Sequence, residues 1–163
     1  MLPDSVPPFA SNHRDVMVML AQQRGWRRGV ELGIGKGFLF GRFLSECPDL
    51  TMIGVDTFLR PERKARAYGV AERFPDRATL YERTTANAAA LVADGSVDFV
   101  FIDAGHSYQA VLTDIQRWRS KVRVGGWLGG HDYCEKFPGV KRAVHEIFGD
   151  HVDLLPATIW AAR

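Results

Sequence analysis

Cysteine is scarce in this chain, and long apolar runs are absent from it. Cys47 and Cys134 are the two cysteines among 163 residues, and they lie far apart in sequence. This spacing excludes a disulfide framework and a CxxC metal or redox motif. No apolar run approaches the roughly 20 residues that a membrane span needs. Residues 1–10, which we expect to be flexible, contain three prolines and lack the apolar stretch of a signal peptide. We therefore expect a cytoplasmic protein.

The chain also has little excess charge of either sign. Lys and Arg number 21 against 19 Asp and Glu, which gives a net charge of +2 and no reason to expect nucleic acid as a partner. Basic residues concentrate over residues 60–77, which indicates either a solvated helix face or a surface for an acidic substrate. The length suits one domain, over residues 1–163, with one core.

Predicted strands and helices alternate along most of the chain. Short apolar runs predict strands at 28–33, 51–56, 78–82, 97–102 and 127–130, the last after a turn at Gly125 and Gly126. Periodic patterns predict helices at 14–24, 38–45, 61–74, 86–93, 107–121 and 140–148. This alternation predicts an α/β fold with a doubly wound, mostly parallel sheet. Two further strands, 152–155 and 158–162, are so close in sequence that they must form an antiparallel hairpin, which makes seven strands.

Glycines and polar residues follow the predicted strands of the parallel part. In open α/β sheets, ligands bind beyond the carboxyl ends of the strands. The residues at those positions are Glu31, Gly33, Gly35, Gly37, Asp56, Thr57, Arg83, Thr84, Thr85, Asp103, His106, His131 and Asp132. They form the candidate site.

The glycine turn after the first strand allows a ligand to approach the backbone, because glycine adopts positive φ and has no side chain to obstruct it. Its spacing is G-x-G-x-G, and Phe38 stands where a dinucleotide fingerprint needs its third glycine. This disfavours an NAD-dependent oxidoreductase. Asp56 ends the second strand, where an acidic side chain either accepts hydrogen bonds from the ribose of an adenosine-type cofactor or only caps the next turn.

Four segments carry a family resemblance: residues 30–37 (VELGIGKG), 54–57 (GVDT), 97–108 (VDFVFIDAGHSY) and 125–133 (GGWLGGHDY). Together they resemble class I S-adenosylmethionine-dependent methyltransferases. More narrowly, they resemble the small-molecule O-methyltransferase-like branch, similar to methyltransferase family 24, that includes macrocin O-methyltransferase and cephalosporin hydroxylase-type proteins. The resemblance implies a Rossmann-like fold and methyl transfer from S-adenosyl-L-methionine to a hydroxyl of a sugar or natural-product type acceptor.

The resemblance also implies roles for the candidate residues. The methionine end of the cofactor would lie at Glu31, Gly33, Gly35 and Gly37, its ribose at Asp56 and Thr57, and its adenine near Thr84 and Thr85, with Asp103 close by. The turn after the third strand, Arg83-Thr84-Thr85, departs from the acidic or glycine-containing turn of the family.

In metal-dependent relatives, residues after the fourth and fifth strands bind Mg²⁺, which corresponds here to Asp103, His131 and Asp132. His131 departs from that pattern, since imidazole suits Zn²⁺, Mn²⁺ or Fe²⁺ better than Mg²⁺. Mg²⁺ or another divalent metal would lower the pKa of the acceptor hydroxyl. Without a metal, His106 or His131 would act as the base beside Asp103. Both mechanisms stay open, as does a purely structural role for these turn-forming residues.

Other functions compete with methyl transfer to a small molecule. A non-catalytic module that binds S-adenosylmethionine or another adenosine ligand is the second hypothesis, because few residues precede the first strand to build a substrate lid. The same shortage suggests a homodimer, in which a neighbouring subunit closes the pocket. An RNA methyltransferase is suggested only by the basic segment, and the low net charge disfavours it. The expected partner is a small-molecule acceptor, without nucleic acid or membrane.

Overall fold

The structure is a computed structural model that describes residues 12–162, so the flexibility predicted for residues 1–10 lies outside the described residues. The helices are α1 (His13–Arg24), α2 (Phe38–Glu46), α3 (Pro61–Ala71), α4 (Thr85–Ala88), α5 (Tyr108–Trp118) and α6 (Pro138–Phe148). Short 3₁₀ turns over Ala89–Leu91 and Arg119–Lys121 follow α4 and α5. The longest helix, α1, has 12 residues, and within residues 12–162 no helix has the length and apolar character needed to cross a membrane.

The strands form one seven-stranded sheet in the order β3-β2-β1-β4-β5-β7-β6. They are β1 (Arg28–Leu32), β2 (Thr51–Asp56), β3 (Ala78–Glu82), β4 (Val97–Ile102), β5 (Val122–Gly130), β6 (Val152–Leu155) and β7 (Ile159–Ala162). Strands β1 to β5 pair in parallel, whereas β7 is antiparallel to both β5 and β6. The predicted mostly parallel sheet with a C-terminal antiparallel hairpin is confirmed.

Helices cover both faces of the sheet, which confirms the doubly wound fold. One core lies under α1, α2 and α3 and includes Val16, Phe40 and Phe99. The other lies under α4, α5 and α6 and includes Trp118 and Trp160. A parallel strand that is buried on both faces has a nearly continuous apolar sequence. This explains why β2 and β4 begin and end where the sequence predicts.

The predicted turn at Gly125 and Gly126 is wrong, because both glycines lie inside β5. The strand begins at Val122, and the pairing of β4 with β5 shifts register, which places extra residues in β5. A side chain at Gly126 would bring its Cβ within 2.6 Å of the carbonyl oxygen of Asp98. The two glycines therefore belong to an irregular strand in which neighbouring backbones approach each other closely. A pair of glycines has this effect in a strand and also favours turns, so the sequence alone does not distinguish the two.

The alanine-rich helix predicted over residues 86–93 is shorter than expected. It consists of the single turn α4 and the 3₁₀ turn that follows it, and the chain then bends at Gly95 before β4. Helix propensity favours continuation here, but the chain must reverse direction within a few residues to enter β4. The tertiary path therefore overrides the local preference.

The sheet order creates a crevice at its centre. From β1 the chain moves outward through β2 to β3, and then returns to β4 on the other side of β1. The connections that leave the carboxyl ends of β1 and β4 therefore run in opposite directions, and a cleft opens between them. This point of the fold holds the candidate site.

Candidate active site

A two-part cleft lies at the carboxyl ends of β1, β2 and β4. The larger compartment has a volume of about 340 Å³, and its walls include Asp56, Thr57, Arg83, Thr84 and Thr85. The smaller compartment has a volume of about 240 Å³, and its walls include His13, Arg14, Glu31, Lys36 and Phe38. The two compartments share Gly33, Gly35, Arg63 and Asp103, so they adjoin each other as two parts of the cleft.

The glycine turn brings bare backbone to the cleft at two positions. Gly33 has φ 85°, and a Cβ there would lie 2.3 Å from the carbonyl oxygen of Asp103, so no other residue fits. Gly35 has φ 54°, and a Cβ there would meet no atom of the described residues within 4 Å, because the position faces open space. Gly37 is the N-cap of α2, faces Ala67 of α3 and lines neither compartment. The turn thus has two glycines at the cleft and one at a helix contact.

Glu31 is a buried carboxylate with an unsatisfied oxygen. Its exposed fraction is 3%, and Oε2 has no hydrogen-bond partner among residues 12–162. Burial raises the pKa of Glu31 well above its ordinary value, and the charge of Asp103 raises it further, against the opposing effect of Arg14. Buried polar atoms are nearly always hydrogen-bonded in native proteins. The orphaned oxygen therefore marks a place for a donor or cation on a ligand in the smaller compartment.

Asp56 is held at the cleft by two backbone donors. Its Oδ2 accepts a hydrogen bond of 2.9 Å from the N–H of Gly35, and its Oδ1 accepts one of 2.8 Å from the N–H of Phe58. The carboxylate therefore does cap the next turn, as the structural alternative expects. Each oxygen has a second lone pair, so the same carboxylate can also accept ligand hydroxyls. Thr57 lines the larger compartment beside it.

Thr84 and Thr85 line the larger compartment, but their hydroxyls have structural partners. Thr84 is the N-cap of α4, and its Oγ1 accepts a hydrogen bond from the N–H of Asn87. Thr85 donates its hydroxyl to Asp114 of α5 at 2.5 Å. Burial raises the pKa of Asp114 to about 6, although the Thr85 hydrogen bond opposes this shift. The adenine contact stays a prediction, and for Thr85 it would rest on the methyl group and backbone.

Asp103, His131 and Asp132 converge beyond the ends of β4 and β5. One ligand atom from each lies within 4.8 Å of the others. His131 Nδ1 is 3.5 Å from Asp103 Oδ1 and 3.3 Å from Asp132 Oδ1. Asp132 has φ 63°, a left-handed conformation that is uncommon outside glycine and clusters at functional sites. The structure thus brings the three predicted metal ligands together, and Asp103 also lines the cleft.

The histidines of this cluster have different surroundings. Burial by itself would lower the pKa of His131, but the hydrogen bond to Asp103 and the charges of Asp103 and Asp132 outweigh it and raise the pKa. His106 Nε2 lies 2.7 Å from Asp132 Oδ2, and its ring stacks on Phe137 at a centroid distance of 4.2 Å. The His106 side chain is 41% exposed and lines neither compartment of the cleft. It supports Asp132 from the outer side.

Comparison with known proteins places this site in a family. The family model described as "Methyltransferase domain" matches residues 30–133, which span the glycine turn, Asp56 and the whole Asp103, His131 and Asp132 cluster. The chain belongs to this methyltransferase family. It is therefore a methyltransferase, and the resemblance read from its motifs is confirmed. A search of curated protein sequences finds no match.

Solved structures share the fold of this methyltransferase. The Podospora anserina methyltransferase PaMTH1 bound to SAH superposes with a TM-score of 0.75 at 15% identity, over 92% of this chain and 76% of that one. TomG from Streptomyces achromogenes, an O-methyltransferase of tomaymycin synthesis in complex with SAM, has a TM-score of 0.70 at 12% identity, over 90% and 77%. CalS11, a TDP-rhamnose 3′-O-methyltransferase, has a TM-score of 0.71 at 18% identity, over 91% and 76%.

Sequence reasoning did not place several cleft residues of the methyltransferase in the site, among them His13 and Arg63. His13 lies in the first turn of α1, and its ring centroid is 4.1 Å from that of His131. Burial lowers the pKa of His13, and the neighbouring His131 lowers it further. The order of the elements along the chain could have placed His13 near the site. A helix that leads directly into the first strand runs antiparallel to that strand, so its first turn lies at the carboxyl edge of the sheet.

Arg63 lines both compartments of the cleft. It lies in the basic segment, residues 60–77, for which the sequence predicts either a solvated helix face or a surface for an acidic substrate.

Proposed function

We propose that this methyltransferase transfers the methyl group of S-adenosylmethionine to a hydroxyl of a small molecule, of sugar or natural-product type, with a divalent metal held by Asp103, His131 and Asp132. The observation that carries the proposal is the double placement of Asp103. Its side chain belongs to the metal-type cluster, and the residue lines both compartments of the cleft. A cofactor in the cleft and an acceptor at the cluster would therefore meet at one carboxylate.

The donors and acceptors of the cleft fit S-adenosylmethionine. The unsatisfied Glu31 carboxylate in the smaller compartment would receive the ammonium of the methionine end. Gly35 would leave room for the ligand beside the backbone, and Asp56 would accept hydrogen bonds from the ribose hydroxyls. When bound, the cofactor supplies an electrophilic methyl group. The protein contributes by holding the acceptor hydroxyl in line with that methyl.

The cluster has the chemistry and spacing of a divalent metal site. Two carboxylates and one imidazole are common ligands of Zn²⁺, Mn²⁺ and Fe²⁺. Ligand atoms about 2.1 Å from one ion, at 90° to 109° from each other, lie about 3.0 to 3.4 Å apart. The distances from His131 Nδ1 to Asp103 and Asp132, 3.5 Å and 3.3 Å, are close to that range. A metal there would orient the acceptor hydroxyl and lower its pKa.

One feature of His131 supports a second mechanism without a metal. Its ring nitrogen lies between the carboxylates of Asp103 and Asp132, which favour the protonated imidazole. A histidine oriented by carboxylates can take the proton of an acceptor hydroxyl as a general base. Methyl transfer that proceeds at full rate in the presence of a chelator would favour this mechanism over the metal-assisted one.

Calorimetric titration of metal-stripped protein with S-adenosylmethionine, repeated with Mg²⁺ and with Mn²⁺, tests the proposal. We expect binding in the micromolar range, and we expect Asp103→Asn to weaken the binding of Mn²⁺ measured in a separate titration. Asp49→Asn is the matched control, because Asp49 is an exposed carboxylate that precedes β2 at the opposite edge of the sheet. Absence of S-adenosylmethionine binding under every condition would overturn the cofactor assignment. Equal Mn²⁺ binding by both variants would overturn the metal assignment.

A further inference from the structure

The first turn of α1 places a second imidazole against the metal-type cluster. His13 Nε2 lies 4.0 Å from Asp103 Oδ2, and the His13 ring centroid lies 4.1 Å from that of His131. The His13 side chain is 16% exposed, so it is mostly withdrawn from solvent. Its ring also stacks over Phe101 of β4 at a centroid distance of 6.3 Å. Phe101 lies in β4 and packs in the core under α1, and Asp103 directly follows that strand. His13 therefore lies on the α1 side of the carboxyl edge of the sheet.

Helix α1 fixes this position firmly. Asn12 caps the helix, with its Oδ1 accepting hydrogen bonds from the backbone N–H groups of Arg14 and Asp15. Val16, Met17 and Leu20 of α1 are fully buried in the core under the helix. A residue in the first turn of a helix anchored in this way has little freedom to leave its neighbours. The approach of His13 to Asp103 is therefore a property of the packed fold.

We propose that His13 is a fourth protein ligand of this metal site, which completes a donor set of two imidazoles and two carboxylates. The inference rests on the proposed site of Asp103, His131 and Asp132. Imidazole suits Mn²⁺, Fe²⁺, Co²⁺ and Zn²⁺, whereas Mg²⁺ prefers oxygen ligands and water. A second imidazole therefore makes the site selective for a transition metal ion. These four residues would hold the ion, and the pKa of an acceptor hydroxyl that reached it would be lowered.

The geometry requires a rearrangement of side chains before His13 can bind the same ion as Asp103. Two ligands of one ion lie about 3.0 to 3.4 Å apart when each is about 2.1 Å from it. The present distance of 4.0 Å between His13 Nε2 and Asp103 Oδ2 exceeds that range by about 0.6 to 1.0 Å. His13 also lies outside the group of ligand atoms that are within 4.8 Å of one another. Binding of a metal by all four residues therefore requires rotation of the His13 and Asp103 side chains toward each other.

Titration of metal-stripped protein with Co²⁺ and with Mg²⁺ tests the inference, with wild type compared with His13→Ala and His13→Gln. The loss of a group that only orients a ligand costs 10- to 100-fold in metal affinity, so we expect loss of a direct ligand to weaken Co²⁺ binding by at least about tenfold. Mg²⁺ binding should change by a smaller factor. X-ray absorption of the Co²⁺ protein should show two imidazole ligands in wild type and one in His13→Gln.

His145→Ala is the matched control, since His145 is an exposed histidine on α6. Circular dichroism and urea unfolding establish that each variant is folded. Unchanged Co²⁺ affinity in both His13 variants, with Asp103→Asn weakened, would overturn the role of His13 and leave the three-residue site standing. If wild type binds S-adenosylmethionine but neither metal, the metal site and this inference both fail, while the cofactor assignment stands.

Discussion

At the scale of single residues, the methyltransferase buries two carboxylates within residues 12–162, Glu31 and Asp114. They differ in one respect, because Asp114 accepts a hydrogen bond from Thr85 whereas Oε2 of Glu31 has no partner. Burial of an unpaired charge destabilises a fold unless the group is neutralised or finds a partner. A residue of this kind is best explained by a ligand that supplies the missing partner. At Glu31, the carboxylate should therefore lower the stability of the free protein and raise its affinity for the cofactor.

We predict that Glu31→Gln stabilises the free protein and weakens its binding of S-adenosylmethionine. The folded-state pKa of Glu31 is raised above 4.5, so ionisation destabilises the fold, and unfolding free energy falls as pH rises through that folded pKa. Glutamine does not ionise, so the unfolding free energy of the variant does not fall in this way. The variant should therefore be more stable than wild type at pH 8. Loss of the charged acceptor should weaken cofactor binding at least about tenfold. Urea unfolding at pH 8 and calorimetry measure the two effects.

Glu72→Gln serves as the control for this comparison, because Glu72 is an exposed glutamate at the end of α3. It should change neither quantity. A Glu31→Gln protein that is less stable than wild type at pH 8, and that binds the cofactor equally well, would show that Oε2 has another partner. The orphaned oxygen would then carry no information about a ligand.

At the scale of elements, the turn between β1 and α2 combines two kinds of glycine. Gly33 is required by the packing of the turn against the end of β4, since a Cβ there would meet Asp103. A Cβ at Gly35 would meet no atom of residues 12–162 within 4 Å, so the missing side chain leaves space in the cleft. Both have positive φ, so sequence patterns do not distinguish them. Their different surroundings separate a folding role from a binding role.

We predict that Gly33→Ala mainly reduces stability and that Gly35→Ala mainly reduces cofactor affinity. A Cβ at position 33 would lie 2.3 Å from a backbone oxygen, so the turn must move, at a cost of more than about 2 kcal/mol. At position 35 the cost is about 1 kcal/mol for the left-handed backbone alone. Its methyl group would enter the cleft and weaken S-adenosylmethionine binding at least about tenfold, or 1.4 kcal/mol. Urea unfolding and calorimetry on the same two variants separate the effects; equal losses of stability would contradict the assignment.

At the scale of the whole molecule, the two faces of the sheet differ in what they contribute to the cleft and to stability. The face under α1 to α3 carries Glu31 and His13 at its edge and forms much of the cleft. On the other face, the buried Asp114 of α5 joins α4 through Thr85, whose carbonyl also accepts a hydrogen bond from the indole of Trp118. Asp114 lines neither compartment of the cleft, but its ionisation affects the unfolding of the single cooperative unit. Its ionisation should therefore be visible in the global stability.

We predict that Asp114→Asn makes the molecule more stable above pH 6 and less dependent on pH. The pKa of Asp114 rises from 3.8 to about 6 on folding, so wild type loses stability as pH increases from about 4 to 7. An amide has no charge to bury, and its oxygen still accepts the Thr85 hydroxyl. The gain at pH 8 should be on the order of 1 to 3 kcal/mol, and it should be smaller at pH 5. Urea unfolding at both pH values checks this; an equal gain at both would exclude ionisation as its cause.

Much of this methyltransferase was determined by its sequence alone. Strands β2, β3, β4 and β6 lie where the sequence predicts them. For β2 and β4 the reason is that a parallel strand buried on both faces has a nearly continuous apolar sequence. The short connection before β7 permits only an antiparallel pair, and the structure has one. The meeting of Asp103, His131 and Asp132 was also predictable, since the carboxyl ends of neighbouring parallel strands share one edge of the sheet.

Tertiary structure alone decided which of these residues face the cleft and what else reaches it. Gly37 turns toward α3, and the Thr85 hydroxyl is bound to Asp114, although both stand in positions that the motif assigns to the cofactor. His13 reaches the cluster from outside every motif. The periodicity and spacing of residues in a sequence indicate only how one segment is buried along its own length. The orientation of a side chain toward another segment depends on how helices pack on the sheet, and that packing sums contacts from the whole chain.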